Sequence, residues 1–317
     1  MIPDATPAPS DSLTRLHHAL RCVACKGSLD VRKESLACRE CGTEYTRING
    51  CPVLMTPEGR QSFNLHLETD AGQNMVREYT TVRPANASVR ISRWKAWLRW
   101  LKPPEMMYRY HPDLRAPPTA ILFAPVDGHE PLVLSVGGGP FRVTGKEITL
   151  NIGTFPNVDM VADAHEIPVA DDTFDAVFSL AVLEHVGDPQ QVVAEMIRVL
   201  KPGGYLYSEI PFIFFFHGYP TDYTRFTREG MRRLFGGLQD AEIGMTHGPV
   251  SAVLQSANML IPMLMPARPR LLGKLASGAF RWLFFPCKYL DLLLRDHPRA
   301  HILAGGFYVL GRKPAKS

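Results

Sequence analysis

Between residues 131 and 250, short apolar runs of strand length alternate with longer stretches of mixed polarity. One such stretch, residues 189–200, carries apolar side chains at helical spacing, and the Pro-Gly-Gly at residues 202–204 predicts where that helix ends. Strands that alternate with helices indicate a parallel, doubly wound α/β sheet with its ligand at the carboxyl ends of the strands. The predicted strands are residues 132–136, 148–152, 158–163, 176–180 and 205–211.

The remaining segments have different patterns. The first dozen residues are rich in Pro, Ala, Ser and Asp, which favours a disordered tail. Residues 251–295 are apolar but broken by four prolines, and residues 305–311 read as a last strand. We therefore predict four parts, the last of which contains an apolar insertion at residues 251–300. The parts are a tail (1–15), a cysteine-bearing module (16–57), a variable helical linker (58–128) and an α/β domain (129–317).

The composition is close to that of an average soluble protein. Of the 317 residues, 45% are hydrophobic and 21% charged, which excludes a wholly disordered chain. The net charge of +4 is too small to indicate a partner by itself. The N-terminus has no basic start or apolar run, and no apolar stretch reaches about 18 residues. We therefore expect no signal peptide, no transmembrane helix and a cytoplasmic location.

Four of the six cysteines form two Cys-x-x-Cys pairs near the N-terminus. Two residues between cysteines allow a tight turn to direct both thiolates at one metal ion, and two such turns supply a closed tetrahedral site. This pattern predicts a structural zinc site and a reducing compartment. The predicted ligands are Cys22, Cys25, Cys38 and Cys41.

The module around these cysteines resembles the zinc ribbon of small methyltransferase activator subunits. The resemblance lies in the cysteine pairs, in Gly42 and Tyr45, and in the run Asn-Gly-Cys-Pro-Val-Leu at residues 49–54. It covers about 35 residues, and the same kind of ribbon is fused to some methyltransferases. It implies a small N-terminal zinc ribbon.

A glycine cluster, residues 137–139, directly follows the first predicted strand, where glycines let the backbone approach a ligand closely. Four further runs follow in order: 163–168, 174–177, 182–186 and 195–204. Together they resemble the class I S-adenosylmethionine-dependent methyltransferases of the small-molecule type 11 kind. The resemblance implies a Rossmann-like methyltransferase sheet that binds S-adenosyl-L-methionine.

The resemblance also implies which residues bind this cofactor. The glycine cluster would face its methionine part, and Asn151 stands where the family usually has an acid for the ribose hydroxyls. Asp163 would accept a hydrogen bond from the adenine amino group, and Ala164 would lie beside the ring. Residues 179–181 would line the pocket. The implied cofactor-binding residues are Gly137, Gly138, Gly139, Asn151, Asp163, Ala164, Ser179 and Leu180.

Three departures from the family pattern concern the cofactor site. Ser135 stands in place of an acid before the glycines, and Asn151 lacks the charge of the usual ribose acid. Only residues 140–147 separate the glycines from the next strand, where the family has a full helix. We expect that helix to be missing or reduced to a turn.

The loop after the fifth predicted strand holds the candidate acceptor-site residues His217, Asp222 and Arg225. A histidine near neutral pKa can take a proton from an attacking oxygen or nitrogen. The alternative is a structural loop in which Asp222 pairs with Arg225 and Thr227 caps the next helix. Glu184 and His185 precede this loop in sequence, and we expect them to shape the pocket.

Two segments could contact a larger partner. From residue 79 to 104 there are six basic residues and no acid, with tryptophans at 94, 97 and 100. Such a segment could meet RNA or an anionic membrane surface, or pack its tryptophans on the main domain. The aromatic run at residues 280–286 could be a lid over the pocket for an apolar or lipid-linked substrate, or an ordinary insertion.

Three functions are consistent with these features. The first is methyl transfer to a small-molecule or glycan-type acceptor by a cytoplasmic enzyme, with peripheral membrane contact as an option. The second is methylation of RNA, which the near-neutral net charge disfavours. The third is a non-catalytic relative that binds a protein through its zinc ribbon.

Overall fold

The structure is a computed structural model. It describes residues 13–32, 34–48, 50–61, 103–110, 118–139, 142–153, 155, 157–218, 221–266 and 270–315. Most of the predicted tail and the basic, tryptophan-bearing segment lie outside these residues.

One mixed sheet contains the eleven strands of the described residues, in the order β1-β2-β3-β4-β7-β6-β5-β8-β9-β11-β10. The strands are β1 (Leu29–Val31), β2 (Ser35–Cys38), β3 (Glu44–Ile48), β4 (Cys51–Leu54), β5 (Val133–Val136), β6 (Ile148–Asn151), β7 (Met160–Ala162), β8 (Phe174–Leu180), β9 (Leu200–Pro211), β10 (Gln239–His247) and β11 (Gly306–Arg312).

The centre of this sheet is the predicted doubly wound α/β sheet. Strands β7, β6, β5, β8 and β9 are parallel, and β11 pairs antiparallel with both β9 and β10. The chain runs outward from β5 to β7 and then returns to β8 on the other side. The strand order therefore reverses between β5 and β8, where a doubly wound fold opens its ligand crevice.

The ribbon continues this sheet at its β7 edge. Strands β1 to β3 form an antiparallel meander, and β4 pairs parallel with β7 through Val53 and Val161. Leu16 and Leu20 are buried in the same core as Leu134 of β5. The ribbon and the α/β domain thus share one sheet and one apolar core. Leu13 is also buried in this core, three residues before the predicted start of the ribbon.

The helices are α1 (Thr119–Leu122), α2 (Pro189–Val199), α3 (Arg228–Leu234), α4 (Pro249–Leu260), α5 (Arg270–Phe284) and α6 (Asp291–Leu294). Helix α2 begins where Asp188 accepts hydrogen bonds from the backbone N–H groups of Gln190 and Gln191, and Pro189 occupies a position that needs no donor. It ends at Val199, as the Pro-Gly-Gly predicted.

The expected shortening after the glycines is observed for the described residues 142–147, which contain no helix. A buried ion pair between Arg142 and Asp159, 2.7 Å long, closes this connection against β6 and β7. The buried carboxylate of Glu147 accepts a 2.8 Å hydrogen bond from the Thr144 hydroxyl. This buried ion pair and hydrogen bond therefore fix the connection at the position where the family has a helix.

The predicted apolar insertion forms α4, α5, α6 and the 3-10 turns between them. Arg281 of α5 donates to the carbonyls of Pro103 and Pro104, both at 2.8 Å. Buried Asp291 accepts from the N–H groups of Val250 and Ser251 at the start of α4. Many large apolar side chains nevertheless face solvent here. In the part of the chain that the structure describes, no helix has the length and apolar content to cross a membrane.

Candidate active site at the carboxyl ends of β5 and β8

The glycine cluster forms a tight turn at the carboxyl end of β5. Gly137 has φ +72°, a left-handed conformation that residues with a Cβ adopt at a cost. A Cβ there would lie 2.3 Å from Cγ2 of Val182, which follows β8. The Gly137 N–H donates to Leu150 O at 2.8 Å. The turn is therefore packed directly between the ends of β6 and β8.

Asn151, at the end of β6, holds the same turn through its side chain. Its Nδ2 donates to Gly138 O at 2.8 Å, and its Oδ1 accepts from the Gly153 N–H at 3.1 Å. The resemblance implied a ribose contact for this amide, and that role stays a prediction. What the geometry adds is a positioning role for Asn151 in the glycine turn.

Asp163 follows β7 and caps the 3-10 turn Ala164–Glu166. Its Oδ1 accepts from both the backbone N–H and the ring Nδ1 of His165, at 2.9 and 2.6 Å. Burial opposes ionisation, but these hydrogen bonds hold the pKa of Asp163 below its usual value. Both contacts use Oδ1, so Oδ2 is left to accept from a ligand, and the carboxylate stays charged.

The other implied cofactor residues lie along the same edge of the sheet. Ala164 is buried beneath Asp163, while Gly139 and Leu180 are half-buried. Ser179 is fully buried, and its hydroxyl has no hydrogen-bond partner within the described chain. Ser179 pairs with Val136 of β5 and with Ser208 of β9, so it lies inside the sheet next to the glycine turn.

The candidate acceptor residues are brought together with Glu184 and His185. His217 Nε2 lies 3.4 Å from Glu184 Oε1, and His185 Nε2 lies 3.6 Å from the same oxygen. The two imidazole rings meet edge to face at 4.9 Å. Glu184 follows Val182 by two residues, so this cluster lies beside the glycine turn.

Asp222 and Arg225 support His217. The Asp222 carboxylate accepts from the His217 backbone N–H at 2.9 Å, and its Oδ2 lies 3.6 Å from His217 Nδ1. Arg225 donates to both Asp222 oxygens. Burial raises the pKa of Asp222, but the Arg225 hydrogen bonds outweigh it and keep that pKa low. Asp222 and Arg225 therefore form an ion pair, as the structural-loop alternative predicted.

The loop is fastened to the segment after β8 by further hydrogen bonds. His185 Nδ1 bonds to Thr221 O, and the Tyr223 N–H donates to Glu184 O at 2.7 Å. Burial lowers the pKa of His185, which keeps its ring neutral. Thr227 caps α3 by accepting from the Gly230 N–H at 3.0 Å, as predicted.

Sequence reasoning gave Glu184 and His185 only a pocket-shaping role. The structure places them in contact with His217, and Glu184 is the most deeply buried member of the cluster. The available signal was a Glu-His pair that follows a buried strand within a few residues. Its partner lies in a loop beyond the next strand, and spacing along the chain does not reveal that contact.

The four cysteines of the two pairs meet in one cluster. The Sγ atoms of Cys22 and Cys41 are 3.7 Å apart, and those of Cys25 and Cys38 are 3.4 Å apart. Four thiolates around Zn²⁺ at about 2.3 Å would be separated by about 3.8 Å. Tyr45 supports the cluster, since its hydroxyl accepts from the Val23 N–H at 3.0 Å and contacts Cys22 Sγ. The donor set and spacing fit a zinc ion.

The residues at the β5–β8 crevice also fit S-adenosylmethionine. The open Oδ2 of Asp163 suits an amino group, and the Gly137 turn brings backbone to the switch point without side-chain bulk. The Asn151 amide, in contrast, is already used within the protein. The fit therefore rests on β5 and β7 more than on β6.

Residues 146–208 match the family model described as "Methyltransferase domain". A demethylmenaquinone methyltransferase of Renibacterium salmoninarum is 48% identical over 52 residues, 16% of this chain and 22% of that protein. A ubiquinone/menaquinone biosynthesis C-methyltransferase of Klebsiella pneumoniae is 44% identical over 63 residues, 20% of this chain and 25% of that protein. The chain thus spans a quarter or less of the length of these relatives. Over residues 146–208 the chain is therefore similar to a methyltransferase domain.

Among solved structures, phosphoethanolamine N-methyltransferase 2 of Haemonchus contortus is similar at 18% identity and a TM-score of 0.39. The similarity covers 62% of this chain and 51% of that one. A methyltransferase of Archaeoglobus fulgidus is 16% identical with a TM-score of 0.35, over 57% of this chain and 85% of that one. Because these scores are below 0.5, the fold assignment rests on the strand order.

Proposed function

We propose that this protein transfers a methyl group from S-adenosylmethionine to a small-molecule acceptor. The observation that carries the proposal is that the glycine turn and the polar cluster around His217 lie together where the strand order reverses, between β5 and β8. The glycine turn after β5 and the polar cluster that joins Glu184, after β8, to His217 lie at adjacent strand ends, so a cofactor and an acceptor bound there would be neighbours.

In this proposal the two sides of the crevice have separate tasks. The bound cofactor supplies a methyl group on a positively charged sulfur. Asp163 accepts from the adenine amino group, and the Gly137 turn orients the methionine part. On the acceptor side, the cluster of His217, Asp222 and Arg225 orients the acceptor and receives the proton that it loses. Catalysis then depends mainly on positioning.

The ribbon has a structural task in the same proposal. Zn²⁺ held by Cys22, Cys25, Cys38 and Cys41 would be closed to substrate, since all four positions are filled by thiolates. The ribbon would then support the β7 edge of the sheet, from which Asp163 extends.

Calorimetric titration of the zinc-loaded protein with S-adenosylmethionine and S-adenosylhomocysteine tests the function. We expect micromolar binding that Asp163→Ala weakens at least tenfold, because the adenine amino group loses its charged acceptor. Asp171→Ala is the matched control, since this exposed carboxylate pairs with Arg198 away from the crevice. No binding at millimolar ligand by a folded protein would contradict the enzyme proposal and favour the non-catalytic alternative. Salt-dependent binding of RNA would instead favour an RNA acceptor.

We further propose that the acceptor is apolar or lipid-linked and is met at an anionic membrane surface. Across residues 249–303 the sequence has seven basic residues and two acids, and one of those acids, Asp291, is buried. In the same span Met263, Leu283 and Leu293 are 73%, 71% and 79% exposed. Exposed apolar side chains in a span with an excess of basic residues suit an anionic lipid interface. The printed names of the relatives, which concern quinone biosynthesis, agree with an apolar acceptor.

Sedimentation with lipid vesicles tests this surface. We expect the protein to bind vesicles containing anionic lipid and to bind neutral vesicles more weakly. The double variant Leu283→Glu, Leu293→Glu should lose at least tenfold in vesicle affinity, because two charges would enter the interface. Val126→Glu changes an exposed apolar residue outside this region and should bind normally. Equal binding by all three proteins would reject the membrane surface.

A further inference from the structure

We propose that Glu184, His185 and His217 form a binding site for a divalent transition-metal ion, separate from the cysteine cluster. Their three ligand atoms, Glu184 Oε1 and the two histidine Nε2 atoms, lie within 4.8 Å of one another. We call these residues the Glu-His-His trio.

The distances in the trio suit coordination better than hydrogen bonding. Glu184 Oε1 lies 3.4 Å from His217 Nε2 and 3.6 Å from His185 Nε2. A hydrogen bond between an imidazole and a carboxylate would bring these atoms to about 2.7–2.9 Å. Ligands held at about 2.1 Å in a tetrahedral arrangement are separated by about 3.4 Å. The trio therefore has the spacing of ligands around an ion that lies between them.

The strongest single indication that this site binds a cation comes from Glu184. Its side chain is completely buried, and neither carboxylate oxygen has a hydrogen-bond partner among the described residues. A buried, unsatisfied carboxylate is unfavourable unless a positive charge accompanies it. Arg225, the nearby cation, is already bonded to both oxygens of Asp222. The Glu184 carboxylate oxygens are therefore available to an ion bound in the trio.

A hydrogen bond holds His185 from behind, whereas His217 Nδ1 has the Asp222 carboxylate nearby but no hydrogen-bond partner among the described residues, and both Nε2 atoms lie near Glu184. His185 Nδ1 must donate to the Thr221 carbonyl, which can only accept, so in the neutral ring Nε2 carries a lone pair. His217 Nδ1 faces the Asp222 carboxylate at 3.6 Å. Metal-bound histidines in proteins usually have this support from a carbonyl or carboxylate behind the ring. The lone pair on His185 Nε2 faces the Glu184 carboxylate, and the two repel each other unless a cation lies between them.

The donor set selects the kind of ion. Two imidazole nitrogens and one carboxylate suit Zn²⁺, Mn²⁺, Fe²⁺ or Co²⁺, whereas Ca²⁺ and Mg²⁺ prefer oxygen ligands throughout. Three protein ligands leave at least one position for a further ligand, and the side chains of His217 and His185 are 20% and 12% exposed. Resting on the proposed function, the ion would lower the pKa of an acceptor hydroxyl that reaches it. With the ion bound, His217 would act as a ligand and not as the proton acceptor, and the proton would pass to solvent.

Metal analysis of the full-length protein tests the proposal. After loading with Zn²⁺ and dialysis, we expect two ions per wild-type chain, one in the cysteine cluster and one in the trio. Glu184→Gln keeps the side-chain shape but removes the charge, and we expect it and His217→Ala to retain one ion. Asp222→Asn should weaken the second ion about 10- to 100-fold, because it removes the support of a ligand. Glu209→Gln, a carboxylate on β9 that bonds to Tyr207, is the matched control and should retain two ions.

Titration with Co²⁺ separates the two sites and reports on folding. Thiolate ligands give Co²⁺ a charge-transfer absorption that an imidazole and carboxylate site lacks. We expect Glu184→Gln to keep this thiolate absorption and to lose the second, weaker spectrum. One ion per wild-type chain, or two ions in both Glu184→Gln and His217→Ala, would overturn the proposal. Neither result depends on methyl transfer, so the proposed function is tested separately by cofactor binding.

Discussion

Replacement of Cys38 by serine is expected to unfold the ribbon and to destabilise the whole chain. The four thiols converge on one point, and a zinc ion in such a site contributes on the order of 10 kcal/mol to the folding of a small module. The ribbon is also continuous with the main domain, because β4 pairs with β7 and Leu16 and Leu20 are buried in the common core. A free energy of this size is comparable to the 5–15 kcal/mol that stabilises a typical domain.

Thermal unfolding and zinc content of Cys38→Ser measure this effect. We expect the zinc of the cysteine cluster to be lost and the main unfolding transition to move to a lower temperature or to broaden. A chelator in excess should do the same to the wild-type protein. Cys287→Ser is the control, since this half-buried thiol lies outside the ribbon. An unchanged transition in Cys38→Ser would show that the ribbon contributes nothing to the stability of the α/β domain.

The second large effect is expected from Gly137→Ala in the glycine turn. The alanine would have to adopt φ +72°, at a cost of about 1–2 kcal/mol. Its Cβ would also overlap Val182, and overpacking of this kind costs about 1–3 kcal/mol. We expect a loss of about 2–5 kcal/mol in the free energy of unfolding, and loss of S-adenosylmethionine binding, because the turn would have to move.

Two variants separate the contributions to this loss. Gly145 has φ +82°, but its missing Cβ would have no neighbour within 4 Å, so Gly145→Ala should show only the backbone cost and keep cofactor binding. In Gly137→Ala, Val182→Ala the overlap is relieved, so binding should partly return. If Gly137→Ala binds the cofactor as the wild type does, the turn is not part of the cofactor site.

Much of the fold could be predicted from local patterns. The apolar runs that became β5, β6, β7, β8 and β9 are buried on both faces, so their signal is continuous and strong. Strand β10 was missed because its first four residues are exposed at the sheet edge and carry no apolar run.

Part of the site was predicted from the sequence. Features made by residues close together in the chain were predicted, whereas contacts between distant segments were not. The glycine turn and the cysteine pairs depend on residues a few positions apart, so spacing reveals them. The Asn151 amide binds Gly138 O across two strand ends, and no pattern within either strand predicts that bond. The family resemblance implied that Asn151 contacts the ribose of the cofactor. In the structure its amide forms a hydrogen bond within the protein, to Gly138 O.

Local patterns in the sequence were sufficient for the doubly wound domain, the class of its relatives, the four-thiol cluster and the shortened connection, whose described residues 142–147 contain no helix. These are properties of residues close together in the chain, where periodicity, turns and ligand spacing act. The tertiary structure alone decided that β4 joins β7, so that the ribbon becomes part of the main sheet. It also decided that Glu184, His185 and His217 meet around one buried carboxylate. Both contacts join segments that are distant in the chain, and such contacts depend on how the complete sheet packs around its buried core.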